Sequence, residues 1–175
     1  NRARGLLLGS SCGLVENNTL YRTQGPAIRT VVDIHPLWSE GTGVDRLIVR
    51  NNRFIQCNVN DWEPMINIRT FLHGEDSKAA VFTNLVFEGN LFEDAPSEVF
   101  GICSSANVRI AGNTFAAKKP RQKEFKTRNS ILIENAREIE ITDNTVVRSD
   151  LQPDEIRISA KNVRGLRQYG TKVVD

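Results

Sequence analysis

The chain has 175 residues, enough for one domain with a continuous core. Lys and Arg number 23 against 21 Asp and Glu, and the resulting charge of +2 gives no overall field for nucleic acid. No apolar run approaches membrane-spanning length, and Cys12, Cys57 and Cys103 match no metal-ligand spacing.

From the N-terminus, Leu6-x-Leu8 has the two-residue period of a strand. A phrase follows that reads apolar, any, apolar, any, turn residue, Asn, any, apolar. Its first copy is Gly13-x-Val15-x-Asn17-Asn18-x-Leu20, in which Gly13 departs from the apolar rule. The later copies are Leu47-x-Val49-x-Asn51-Asn52-x-Phe54, Leu85-x-Phe87-x-Gly89-Asn90-x-Phe92, Val108-x-Ile110-x-Gly112-Asn113-x-Phe115 and Ile139-x-Ile141-x-Asp143-Asn144-x-Val146. Asn, Gly and Asp tolerate positive φ, so the chain is expected to bend just before each phrase Asn. Stacked coil on coil, these asparagines would form an internal amide ladder.

Between the copies lies a second strand series: Ala27-Ile28, Ile66-x-Ile68, Phe100-x-Ile102, Ile131-x-Ile133 and Ile156-x-Ile158. Steps of 34, 38, 23 and 31 residues separate the phrase asparagines. Such uneven units argue against helical repeats or propeller blades. A β-sandwich has no reason to repeat x-Asn in register. The reading is all-β: a right-handed parallel β-helix of about six coils, one domain over 1–175. Helix signals are nearly absent. The chain opens straight into an apolar strand with no polar cap, so a longer parent helix is expected.

Insertions interrupt the coil rhythm at about 29–46, 55–65, 69–84 and 116–129, all bordering the second strand series. That face is the expected binding groove, since loops on a rigid scaffold carry function. The first insertion holds His35, Trp38 and Glu40; the second holds Asp61, Trp62 and Glu63; Arg69 opens the third. Flat aromatics beside carboxylates suit sugar rings, whose CH faces stack while acids bond their hydroxyls. The same tryptophans also suit pinning their loops to the solenoid. Asp33, Glu75, Asp76 and Glu98 are further carboxylates near this groove. The basic run Lys118 to Arg128 suits either a polyanion or a solvated loop. No Ser-His-Asp arrangement is legible, no metal and no cofactor is expected, and the cysteines read as small buried wall residues.

Arg2-Ala3-Arg4-Gly5, Val15-Glu16-Asn17-Asn18, Gly25-Pro26-Ala27-Ile28, Trp38-Ser39-Glu40-Gly41 and Ile48 to Cys57 together resemble the bacterial α-1,3-galactosidases over roughly Asn1 to Phe115. Those are β-helical glycoside hydrolases of the pectin-lyase-like type, removing terminal α-galactose with inversion. The resemblance implies a metal-independent, exported parent enzyme acting on oligosaccharide or polysaccharide, with no nucleic-acid partner and further coils beyond this chain. In that family the key acids form an Asp-Asp motif in earlier coils. No such pair occurs here, so no catalytic residue is assigned. What the resemblance implies for this stretch is sugar contact by Trp38, Glu40, Trp62 and Glu63. A polysaccharide lyase or epimerase, with Arg29 and Arg69 neutralising a uronate, and a non-catalytic glycan-binding solenoid are the competing expectations.

Overall fold

A computed structural model describes residues 3–120 and 128–175. The expected basic run therefore lies in part outside the described residues. No helix occurs among the described residues. The strands in chain order are β1 Leu6–Leu7, β2 Gly13–Glu16, β3 Thr19–Tyr21, β4 Ile28–His35, β5 Trp38–Glu40, β6 Asp45–Arg50, β7 Arg53–Ile55, β8 Ile66–Leu72 and β9 Phe82–Glu88. They continue with β10 Leu91–Glu93, β11 Glu98–Cys103, β12 Ser105–Ala111, β13 Thr114–Ala116, β14 Ser130–Thr142, β15 Thr145–Val147, β16 Arg157–Tyr169 and β17 Lys172–Val174.

These strands form a three-walled parallel β-helix. The first wall is β1-β4-β8-β11-β14-β16. The second is β2-β6-β9-β12, completed by the later halves of β14 and β16. The third, β3-β7-β10-β13-β15-β17, follows each phrase Asn. Each wall carries one residue of every coil in register, so each core position forms a column. Ile28, Ile66, Phe100 and Ile131 are one column, fully buried. Phe54, Phe92 and Phe115 are another, their rings stacked at 5.1 and 5.5 Å between centroids.

The bends fall where the sequence places them. Asn17, Asn51, Gly89, Gly112 and Asp143 all have φ between 53° and 64°. The next residue of each coil then joins the amide ladder. Asn52 Oδ1 accepts from the Asn18 amide at 3.1 Å, and Asn90, Asn113 and Asn144 repeat the contact at 3.1, 3.0 and 3.1 Å. Each of those oxygens also accepts the preceding rung's backbone N–H. In the last coil Gly170 keeps the left-handed bend, but Thr171 replaces Asn and the ladder stops.

Two stretches expected as insertions begin as strand. β4 runs on to His35 and β8 to Leu72, paired in register through Ile34 and Leu72. The inward series is Ile28, Thr30, Val32 against Ile66, Ile68, Thr70, and its threonines mask the apolar alternation. Thr30 and Thr70 are fully buried, and Thr70 Oγ1 lies 2.6 Å from Ser104 Oγ. In the later coils the corner between first and second walls is tight: β14 and β16 pass through it unbroken, whereas longer connections join β4 to β6 and β8 to β9. Cys57 and Cys103 are buried as expected, whereas Cys12 is exposed. It occupies a left-handed corner position and accepts two hydrogen bonds from Arg46, at 3.3 and 3.2 Å.

Candidate functional site

The outer face of the first wall presents two columns of side chains. One is Leu7, Arg29, Asn67, Gly101, Leu132 and Ser159. The other includes Val31, Arg69, Cys103, Glu134 and Lys161. The column Ile28, Ile66, Phe100 and Ile131 faces the core; these outward neighbours form the floor.

The 55–65 insertion covers the upstream edge of this floor. The Asn58 amide holds the Glu63 carbonyl, Glu63 accepts from Arg29 Nε at 3.2 Å, and Pro64 sits over Gly101. A Cβ at Gly101 would lie 2.6 Å from the Pro64 ring, so only glycine admits this loop. Trp62 lies with its indole nitrogen beside Gly25 and remains 66% exposed. Ser97 Oγ bridges the Asp61 carboxylate and Glu98 Oε2, the latter at 2.6 Å.

A hairpin frames the downstream edge. β5 pairs antiparallel with the end of β4, setting Trp38 opposite His35 and Glu40 opposite Asp33. The His35 and Trp38 rings stack at 5.8 Å, and Trp38 is 49% exposed. Glu40 meets Arg4 at 3.5 Å. Trp38 and Trp62 thus flank opposite ends of β4, an eight-residue strand about 25 Å long. They suit an extended chain of sugars crossing the face, not two sides of one ring.

Arg69 lies between these borders. Its guanidinium clasps Asp76 with two bonds of 2.7 Å and lies 4.5 Å from the centre of the Phe71 ring. The Asp76 contact holds Arg69 above its ordinary pKa. Cys103 Sγ and Glu134 complete a cluster with Asp76 whose donor atoms lie within 4.8 Å of one another. Burial first, then the Asp76 charge, pushes the Cys103 thiol up to about 12. Arg69 already takes both Asp76 oxygens.

Sequence spacing gave no sign of this cluster, because its members lie on three separate coils. The only available signal is their shared outward phase in the strand pattern. The carboxylates are likewise arranged in pairs the sequence does not show. Asp33 and Glu40 face each other across the hairpin, and Asp61 and Glu98 share one hydroxyl.

No protein-family model matches the chain. Among curated proteins it is similar to alpha-1,3-galactosidase B of Bacteroides thetaiotaomicron, 26% identical over 171 residues. The match covers 90% of this chain and so extends well past Phe115. The chain spans 28% of that protein's length, so the similarity joins a β-helical chain of parallel coils to one stretch of a galactosidase.

Proposed function

We propose that the outer face of the first wall binds an oligosaccharide or polysaccharide, as part of a glycosidase-like β-helix. The parent activity we assign is that of an inverting, exported, α-galactosidase-like exo-enzyme. The observation that carries the reading is the placement of two exposed tryptophans at the two ends of one polar strand face. Exposed indoles on rigid elements give stacking area at little entropic cost, and the acids and amides between them offer hydroxyl partners. The similarity to a galactosidase supports the same substrate class.

The lyase or epimerase reading is less well supported. It needs Arg29 and Arg69 free to neutralise a uronate, yet Glu63 and Asp76 already engage them.

Proton NMR of the full-length protein with an α-1,3-galactosyl oligosaccharide tests the proposal. Initial release of β-galactose is the expected result. Binding without release would leave a glycan-binding solenoid; neither binding nor release would end the carbohydrate reading. Trp38→Ala and Trp62→Ala should each weaken oligosaccharide binding about tenfold, an aromatic contact of roughly 1 kcal/mol plus its buried area. Unchanged affinity in both would place the glycan elsewhere.

A further inference from the structure

Outward charges on this solenoid follow a rule. Wherever two charged residues stand in register on neighbouring parallel coils, their signs alternate: Glu16 with Arg50, Arg50 with Glu88, Arg109 with Glu140, Glu140 with Arg167, and Glu134 with Lys161. Among the described residues one pair breaks it. Arg137 on β14 stands directly beside Arg164 on β16. Neighbouring coils lie about 4.8 Å apart, and like charges at that spacing destabilise a sheet.

A third cation joins them. Lys78 follows Ser77, whose backbone N–H is anchored on the buried Thr70 hydroxyl at 3.0 Å. Lys78, Arg137 and Arg164 line one shallow cleft with Asn135, Ala136 and Asn162, and no carboxylate lines it. None of the three cations makes an ion pair with a described residue. Asn135 and Asn162 turn the corner in left-handed conformations, and the Asn162 amide donates to Asn135 Oδ1 at 2.7 Å. That contact leaves the Asn135 amide nitrogen as a neutral donor at the cleft. Lys78, Asn135 and Asn162 also line the adjoining cleft, together with Glu75 and Asp76 of the loop after β8 and Glu134 and Lys161 of the first wall.

We propose that this corner binds an oxyanion, carried by an acidic substituent of the glycan: a sulfate ester or a uronate carboxylate. Two guanidinium forks one coil apart and an ammonium lining the same cleft match an oxygen-rich anion, and the anion removes the repulsion between them. The identity of the carrier rests on the carbohydrate reading above; the oxyanion site itself does not.

The test begins with sodium sulfate added to the full-length protein at constant ionic strength. Amide NMR shifts of Ala136, Arg137 and Arg164 should saturate, and saturation should vanish in Arg137→Ala/Arg164→Ala. Arg164→Glu restores the alternation. Sulfate should raise the Tm of the unsubstituted protein, whereas Arg164→Glu should raise the Tm without sulfate and abolish the further rise with it. Shifts that stay linear in the unsubstituted protein, or that saturate equally in the double variant, overturn the site.

Neutral, sulfated and uronate-bearing galacto-oligosaccharides form the second arm. An acidic form should bind at least tenfold more tightly than the neutral one, and the double variant should erase the difference. The preferred acidic form identifies the substituent. Equal binding of charged and neutral forms refutes the acidic-glycan ligand. Sulfate saturation with no oligosaccharide bound at all refutes the carbohydrate reading and leaves the oxyanion site standing.

Discussion

Asn113 shows how much one residue does in this fold. Its side-chain oxygen accepts from the backbone and side chain of Asn90, both at 3.0 Å, while its amide donates to the Phe87 carbonyl and to Asn144. The residue is fully buried, so truncation strands groups that no water reaches. Asn113→Ala should cost about 3 kcal/mol, the penalty for roughly two orphaned backbone groups, read as a lower urea midpoint at unchanged m. Cys103 gives a pH-dependent case. Its thiol binds a proton more tightly in the folded state, with a pKa of about 12 against an ordinary 9.0. Below pH 9 that contribution is complete; it is lost as pH rises towards 12. Cys103→Ala should therefore flatten the alkaline fall in unfolding midpoint across this window. At pH 8, iodoacetamide should label exposed Cys12 well before Cys103, as mass spectrometry would show.

At the scale of elements, the strands are set by period-two patterns, while the decorations depend on single permissive residues. The 55–65 insertion stays on the first wall because Gly101 leaves room for Pro64. Gly101→Ala should lift that loop and weaken oligosaccharide binding by tenfold or more. Its core neighbours Phe100 and Ile102 are undisturbed, so the thermal transition should move by only a few degrees. A loss of folding instead would show the loop to be part of the core. The Trp38 hairpin depends on different physics. Its antiparallel pairing continues β4 beyond the coil, and the His35–Trp38 stack closes its tip.

Across the whole molecule, each coil contacts chiefly its neighbours, so stability is expected to vary along the axis. The central columns are buried, but β16 and β17 are almost wholly exposed, with Leu166, Tyr169, Val173 and Val174 on the surface. For the 175-residue chain by itself, hydrogen exchange should release the amides of β17 and the outer edge of β16 first, and those of β9, β11 and β12 last. Uniform protection along the axis would contradict this gradient.

The repeated phrase alone determined the parallel β-helix, its positive-φ bends and the asparagine ladder. Those features are local, or they repeat at a spacing the eye can follow. The face carrying His35, Trp38, Glu40, Trp62, Glu63 and Arg69 was legible too, because every insertion borders one strand series. Only the tertiary structure decided what those side chains do. It paired Glu63 with Arg29 and Asp76 with Arg69, joined Asp61 to Glu98 through Ser97, and set Cys103 beside Glu134. It also brought Arg137 against Arg164. These contacts cross coils whose lengths vary with their loops, so no fixed sequence spacing encodes them; stacking at about 4.8 Å does.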